Sequence, residues 1–339
     1  MAGVLFQTSF DHYTTVTHRF NSVTGGSAVT IGAGVGRNST SGLDFNNGSI
    51  GNLRAVRNLG GSYADLYCGF AIKVDVLPGV SRSIFELYDV STIQNRLVLQ
   101  TNGTLIVQRG DTTTLDTVPT FVMLPNVWYH IEVRVNTHSS TGIYTVKINE
   151  VQLLNLTSQD TAATANNYST DFALASSQAA GQAAHTYFDD VVIRDDAFSG
   201  DVEVGAYLPT GIGVTNQWTP NTGTSATATD ETAPNSDTDY IETSIVNDLT
   251  LLTYGTIPAT SSIIAVIPMP FAKKTDAGTA KLKSVVRHSG VNYPGVEKAP
   301  SDGSYEYHPD VLMVNPGTGV AWTPSNWNAP VEIGPQRTA

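Results

Sequence analysis

The sequence predicts an all-β protein, with an N-terminal jelly-roll β-sandwich followed by a second, smaller β-rich domain. Charged residues make up only 14% of the 339 residues and glycine occurs 30 times, a composition that favours strands and turns over solvated helices. Apolar and polar residues alternate in several short runs, each bounded by Gly, Asn, Asp or Pro. Short strands with turns at regular spacing are typical of a sandwich or a barrel.

The clearest strand signals lie in the first half of the chain. The runs with apolar character that predict strands are at 70–76, 128–135, 143–149 and 191–193. Asn102-Gly103 separates two further runs and predicts a β-hairpin, because Asn-Gly accepts the positive φ of a tight type I′ turn. The best candidate for a helix is the Ala-rich stretch 173–184, although Gly181 interrupts it.

The composition changes near residues 199–202, which predicts domains at 1–198 and 199–339. Apolar runs at 262–268, 281–287 and 311–314 predict that the second domain is also mostly β. No Lys or Arg lies between Arg194 and Lys273, and a basic stretch then extends to Lys298. Two stretches of opposite charge suit contacts between subunits through complementary surfaces. In the alternative interpretation they are two ordinary solvated faces, and the sequence does not decide between the two.

Charge and cysteine content exclude several classes of protein. A formal net charge of -12 argues against a nucleic acid or an anionic membrane surface as a partner, because both require basic surface. Cys68 is the single cysteine, so neither an intrachain disulfide nor a cysteine-based zinc site is expected. The first 13 residues lack the pattern of a secretory signal, which predicts synthesis in a reducing cytoplasm.

The sequence offers no catalytic constellation. A glycosidase on a sandwich requires two suitably spaced carboxylates, and no such pattern is present. There is also no Gly-x-Ser-x-Gly elbow, so we expect no enzyme activity and no organic cofactor. Asp189 and Asp190 are candidate calcium ligands, because carboxylate oxygens suit this ion. In the alternative interpretation, one of the two carboxylates accepts hydrogen bonds from the backbone of a loop.

Aromatic side chains that remain exposed could stack on sugar rings. The candidates, chosen by residue type, are Tyr63, Tyr67, Tyr88 and Trp218. Most aromatic residues of a β-sandwich belong to its core, so we expect only a minority of aromatic residues to be available to a ligand.

Residues 128–156 carry a pattern of Trp128, His130, Gly142, Ile148 and Asn149, and Phe188-Asp-Asp-Val-Val-Ile193 follows later. Here the chain resembles concanavalin-A-like and laminin-G-like jelly rolls. The resemblance covers roughly residues 1–198. This fold serves lectins, glucanases and viral proteins alike, so the resemblance implies a fold and no particular function.

A second set of motifs follows in order along the chain: Gly200–Val204, Leu208–Pro220, Asp237–Tyr240, Lys273–Gly278, Arg287–Gly290 and Pro316–Thr323. With the preceding jelly roll, they resemble a group of tailed-bacteriophage structural proteins. The resemblance implies a virion component made in the host cytoplasm, which associates with itself as a homo-oligomer and docks on other virion proteins. It leaves open a capsid decoration, a neck or collar appendage, or a minor tail protein.

A carbohydrate-binding adhesin is the alternative function. In that case the jelly roll would attach the particle to host-surface polysaccharide. Both functions can coexist in one virion protein, and the sequence decides neither the oligomeric state nor whether glycan or calcium is bound.

Overall fold

The computed structural model describes residues 3–48, 50–177, 184–275 and 277–339. These residues confirm the predicted all-β class, since strands account for nearly all of their regular structure. The chain divides into two compact units, Met1–Gly205 and Ala206–Ala339, a few residues C-terminal to the boundary placed from composition. In the described ranges, no helix is long and apolar enough to cross a membrane.

The first unit is a two-sheet sandwich. Its strands are β1 (Val4–Thr8), β2 (Ser22–Thr24), β3 (Val29–Gly32), β4 (Gly42–Asn46), β5 (Leu53–Tyr63), β6 (Asp65–Val74), β7 (Arg82–Asp89), β8 (Thr92–Leu99), β9 (Leu105–Arg109), β10 (Thr113–Thr117), β11 (Tyr129–Asn136), β12 (Gly142–Ile148), β13 (Val151–Gln159), β14 (Ser169–Ser177) and β15 (His185–Arg194). Short 3₁₀ turns lie at Val16–His18, Gly26–Ala28 and Arg37–Ser39.

Both sheets of the sandwich are antiparallel. The eight-stranded sheet has the order β13-β12-β11-β6-β15-β4-β3, with β1 also paired to β15. The seven-stranded sheet has the order β10-β9-β8-β7-β14-β5-β2. Neighbouring strands are often far apart in sequence, as in a jelly roll, so tertiary pairing decides which side chains share a face.

Aromatic packing between the sheets fixes the orientation of each strand. The rings of Phe70 on β6 and Phe85 on β7 stack with centroids 5.4 Å apart, and Phe85 is fully buried. Because successive side chains of a strand point to opposite faces, Glu86 and Tyr88 lie on the outer face of the seven-stranded sheet.

Two hairpins of the sandwich have different turns. Asn149 and Glu150 join β12 to β13 with φ of 47° and 67°, as a two-residue type I′ turn requires. The hairpin at Asn102-Gly103 is confirmed, but its predicted turn type is wrong. Only Gly103 has positive φ (85°), and Leu99 pairs with Leu105 across a longer loop. Gly103 takes the left-handed position that commonly follows a type I turn.

The prediction of a helix at 173–184 is wrong. Residues Ser169–Ser177 form the extended strand β14 between β7 and β5, and 178–183 lie outside the described residues. Helix propensity is a weak preference, and pairing on both edges overrides it here. Ala173 and Ala175 on this strand are fully buried.

The second unit is built around a smaller sheet of order β16-β19-β24-β21-β22. Its strands are β16 (Pro209–Asn216), β17 (Thr219–Pro220), β18 (Ile241–Glu242), β19 (Thr250–Tyr254), β20 (Phe271–Ala272), β21 (Leu282–His288), β22 (Val291–Pro294), β23 (Glu306–Tyr307) and β24 (Val331–Arg337), with the short helix α1 (Pro324–Asn328) before the last. Trp322 and Trp327 pack with β-sheet residues in its core.

The sequence predictions for this unit are met in part. The run 281–287 is a strand, but 262–268 and 311–314 form isolated bridges, one of them between Val266 and Leu312. Part of the opposite charge is paired within the unit: Lys273 Nζ lies 2.6 Å from Asp237 Oδ1, and Lys281 Nζ lies 2.7 Å from Glu297 Oε1.

Candidate functional site

A row of polar side chains crosses four adjacent strands on the outer face of the seven-stranded sheet. In cross-strand register, Thr114 on β10 pairs with Gln108, Gln108 with Arg96, and Arg96 with Glu86. Arg96 Nε donates to Gln108 Oε1 at 2.6 Å, and Gln108 Nε2 donates to Thr114 Oγ1 at 3.0 Å. We call these four residues the polar row.

Glu86 anchors the polar row at the centre of the sheet. Its fully buried carboxylate accepts from Arg54 Nε at 2.6 Å and from Arg54 Nη2 at 3.1 Å, and it also accepts from the Tyr88 hydroxyl. Burial lowers the pKa of Arg54, but the hydrogen bond and charge of Glu86 outweigh burial and raise it. Burial and the Glu86 charge raise the pKa of Tyr88, so its hydroxyl stays protonated at neutral pH.

Small residues on β14 make the contact between Arg54 and Glu86 possible. Strand β14 lies between β5 and β7, so the Arg54 side chain must cross it to reach Glu86. Ala173 pairs with Glu86, and Ala175 pairs with Arg54. A larger side chain at either alanine would stand in the path of the guanidinium, which accounts for alanine at these two positions.

Arg96 is the cation of the polar row that has no carboxylate partner. Its Nη2 donates to the backbone carbonyl of Asp111, its Nε bonds to a neutral amide, and it makes no ion pair with any described residue. Burial lowers the pKa of Arg96, although Glu86 and Asp111 act in the opposite direction. Arg96 is half-buried, so part of its guanidinium reaches solvent, and its Nη1 has no hydrogen-bond partner among the described residues.

The four tyrosine and tryptophan candidates do not form one site. Tyr88 lies beside the polar row, and Tyr63 lies at the end of β5 with its ring over Gly61. Tyr67 is on the eight-stranded sheet, where its ring packs 5.0 Å from that of Phe198. Trp218 belongs to the second unit, and its Nε1 donates to the Asp248 carbonyl at 3.0 Å.

Sequence reasoning missed Arg54, Glu86, Arg96 and Gln108. One signal was available: polar residues at alternate positions of the hairpin strands place Arg96 and Gln108 on the same face once the hairpin register is known. Nothing local to Arg54 indicates its contact with Glu86, because the intervening strand β14 comes from much later in the chain.

Asp189 and Asp190 lie on β15 at a bulge, where Asp190 has φ of 49°. Asp189 Oδ2 accepts from the Arg37 backbone N–H at 2.8 Å and from Thr40 Oγ1 at 3.1 Å. Asp190 Oδ1 accepts from the Val204 backbone N–H at 2.8 Å. Both carboxylates therefore accept hydrogen bonds from loop backbone, as the alternative to calcium binding expected of one of them. Among the described residues, no group of three or more His, Cys, Asp or Glu side chains is arranged to hold a metal ion, and calcium stays a prediction.

Residues 195–205, which we call the strap, run against the outer face of the eight-stranded sheet. The Phe198 ring centroid lies 3.9 Å from Lys147 Nζ, and the Gly200 backbone N–H donates to Glu132 Oε1 at 2.8 Å. Burial raises the pKa of Glu132 and lowers that of His130 on the same strand. The polar residues of this face therefore bind the protein's own chain.

No protein-family model and no curated protein sequence matches the chain. Three solved structures illustrate the structural likeness. Alginate lyase Aly36B is 12% identical with a TM-score of 0.42, over 57% of this chain and 98% of the lyase. The binding domain of Paraclostridial Mosquitocidal Protein 1 is 12% identical with a TM-score of 0.43, over 74% of this chain and 75% of that domain.

A Trypanosoma rangeli sialidase is 15% identical with a TM-score of 0.34, over 49% of this chain and 27% of the sialidase. None of the three is a phage structural protein. At these identities and TM-scores the likenesses carry no information on the ligand or the activity of this chain.

Proposed function

We propose that this protein is a non-enzymatic structural component of a tailed-phage particle, and that its N-terminal sandwich binds polysaccharide on the outer face of the seven-stranded sheet. The polar row carries the binding part of this proposal. It places hydrogen-bonding groups from four adjacent strands side by side on a sheet face that the second sheet does not cover.

Sugar recognition requires side chains of this kind. Hydroxyl groups of a glycan need both donors and acceptors; the exposed Thr114 hydroxyl and the half-buried Arg96 guanidinium supply them, and the buried Gln108 amide holds both in place. The network among these side chains holds each one in position before a ligand arrives, so less side-chain entropy is lost on binding. A sheet also holds its side chains more precisely than a loop does.

Isothermal titration calorimetry of the full chain tests the binding part, with polygalacturonate, hyaluronate, dextran and xylan as probes. We expect at least one polysaccharide to bind and Thr114→Ala, at the exposed end of the polar row, to weaken that binding roughly fivefold, the usual value of one hydrogen bond. Gln152→Ala, at an exposed position of β13, is the matched control and should leave affinity unchanged. If none of the four polysaccharides binds, the binding part of the proposal is contradicted. If new reducing ends appear when the protein is mixed with a polysaccharide, the non-enzymatic part is contradicted.

The ordered motifs from Phe188 to Thr323 support the virion part. Quantitative mass spectrometry of purified particles tests it, with the major capsid protein as the reference. Stoichiometry near that of the capsid protein would indicate a decoration, whereas a small multiple of three, six or twelve would indicate the neck or tail, where symmetry fixes the copy number. Absence from particles would refute the virion assignment.

A further inference from the structure

We infer that the polysaccharide bound by the polar row is acidic, and that Arg96 binds the carboxylate of a uronate residue. This inference rests on the proposed function, since it names the ligand class of the same face. It follows from the one guanidinium of the row that lacks a charged partner within the described chain.

The two arginines of this face differ in how their charge is balanced. Arg54 makes two parallel hydrogen bonds with the Glu86 carboxylate, so its charge is neutralised within the protein. Arg96 instead bonds to the Gln108 amide and the Asp111 carbonyl, both neutral groups. A half-buried cation without a counterion gains most from an anionic ligand, because desolvation of the guanidinium is already partly complete.

The geometry of Arg96 leaves one side of the guanidinium available. Nε and Nη2 are held by Gln108 and Asp111, which orients the planar group, and Nη1 has no hydrogen-bond partner among the described residues. A guanidinium held in one plane matches the planar carboxylate of a uronate better than the rounded charge of a lysine would. The buried Gln108 amide lies next along the row and positions the exposed Thr114 hydroxyl, which is placed to bond a sugar hydroxyl beside that carboxylate.

The net charge of the chain opposes an acidic ligand at long range. With a net charge of -12 the protein repels an acidic polymer, so a uronate would be bound through a short-range contact such as that with Arg96. Neighbouring acids act on Arg96 only through space: the charges of Glu86 and Asp111 oppose the effect of burial on its pKa, but Glu86 bonds to Arg54, and Asp171 accepts from Asn58 Nδ2 at 2.9 Å.

The test compares oligogalacturonate with the same oligosaccharide after chemical reduction of its carboxyl groups, using calorimetry on the full chain. We expect the acidic form to bind roughly tenfold or more tightly than the reduced form, as a charge-assisted hydrogen bond implies. In Arg96→Ala this preference should disappear, and in Arg96→Lys it should be only partly retained. The readout is the ratio of two affinities measured on the same variant, which a general loss of stability would not change selectively.

Arg134→Ala is the matched control. Arg134 has a similar position on a strand of the other sheet, but its guanidinium is paired with Asp65 at 2.7 Å. We expect it to retain the preference for the acidic form.

The outcomes separate this inference from the proposed function. Equal binding of acidic and reduced forms, or a preference that survives Arg96→Ala, would overturn the inference and leave polysaccharide binding standing. Binding of dextran or xylan with no binding of oligogalacturonate would do the same. Absence of binding to every glycan would overturn both.

Discussion

On the outer face of the seven-stranded sheet, Arg54, Glu86, Arg96 and Gln108 hydrogen-bond within the sheet and leave Arg96 Nη1 without a hydrogen-bond partner among the described residues. On the outer face of the eight-stranded sheet, Glu132 and Asp190 accept hydrogen bonds from the backbone of the strap. Both faces are rich in polar side chains, but only the face of the eight-stranded sheet uses them to bind the backbone of the strap.

The difference lies in the balance of charge. On the outer face of the seven-stranded sheet, Arg54 and Arg96 lie beside one buried carboxylate, that of Glu86, whereas the covered face carries Glu132, Asp189 and Asp190 together with Arg37 and Lys147. Backbone N–H groups of the strap satisfy carboxylates that would otherwise be buried without partners. A face with surplus acceptors can therefore recruit backbone, and a face with a surplus cation is suited to an anionic ligand.

The largest expected effect concerns two arginine–carboxylate pairs with the same bidentate geometry. Glu86→Ala removes a fully buried carboxylate and leaves Arg54 unpaired, so we expect a loss of about 2–3 kcal/mol in the free energy of unfolding. This value is smaller than that for a fully buried pair, because the Arg54 side chain is 21% exposed. The pair of Arg134 with Asp65, where both side chains are 28% exposed, is the comparison, and Asp65→Ala should cost less than about 1 kcal/mol.

Urea-dependent labelling of Cys68 measures both variants. This fully buried thiol is the single cysteine and belongs to the first unit, so it reports the opening of the sandwich in the full chain. Equal losses of unfolding free energy for the two variants would contradict the expectation that the more buried pair contributes more to stability.

The second effect is a pH dependence that arises on the covered face. Burial, followed by the charge of Asp190, raises the pKa of Asp189 to about 8, and burial raises that of Asp190 to about 6. A carboxyl with a raised pKa in the folded state contributes stability that is fully present below its ordinary pKa of 3.8 and is lost as the pH rises through the folded value. We expect a loss of about 1 kcal/mol between pH 7 and pH 9, above the usual range of histidine titration.

Urea midpoints of the wild type at the two pH values measure this loss. Asp189→Asn should reduce this loss to the smaller share that the buried Cys68 thiol causes by ionising only in the unfolded chain, and Asp116→Asn, at an exposed position beside the polar row, should retain it in full. A stability that rises between pH 7 and pH 9 would show that the buried carboxyls of the covered face are not its source.

The smallest effect tests how firmly the strap is held. The Phe198 ring contacts Tyr67 and Lys147, so Phe198→Ala should cost about 0.5–1 kcal/mol of local stability and increase cleavage after Glu203 by a glutamyl endopeptidase. Phe121→Ala removes a similar half-buried ring that packs 5.1 Å from Tyr129, away from the strap, and should leave cleavage at Glu203 unchanged. Equal cleavage in both variants would mean that Phe198 does not hold the strap.

Local patterns predicted the elements of the sandwich better than they predicted its register. Alternation identified β6, β11 and β12, and Asn102-Gly103 identified the hairpin of β8 and β9. A two-residue turn there would have paired Arg96 with Arg109, whereas the longer loop pairs Arg96 with Gln108. A shift of one residue reverses the face of every side chain, so the turn type decides whether the polar row exists.

The sequence by itself determined the all-β class and the short strands with their turns, because alternation and turn chemistry act between residues close in the chain. Tertiary structure alone decided that β14 lies between β5 and β7, that Arg54 crosses Ala173 and Ala175 to reach Glu86, and that the strap covers one sheet face and not the other. The contact of Arg54 with Glu86 joins residues 32 positions apart and that of Gly200 with Glu132 joins residues 68 apart, and no local preference specifies which distant strands become neighbours.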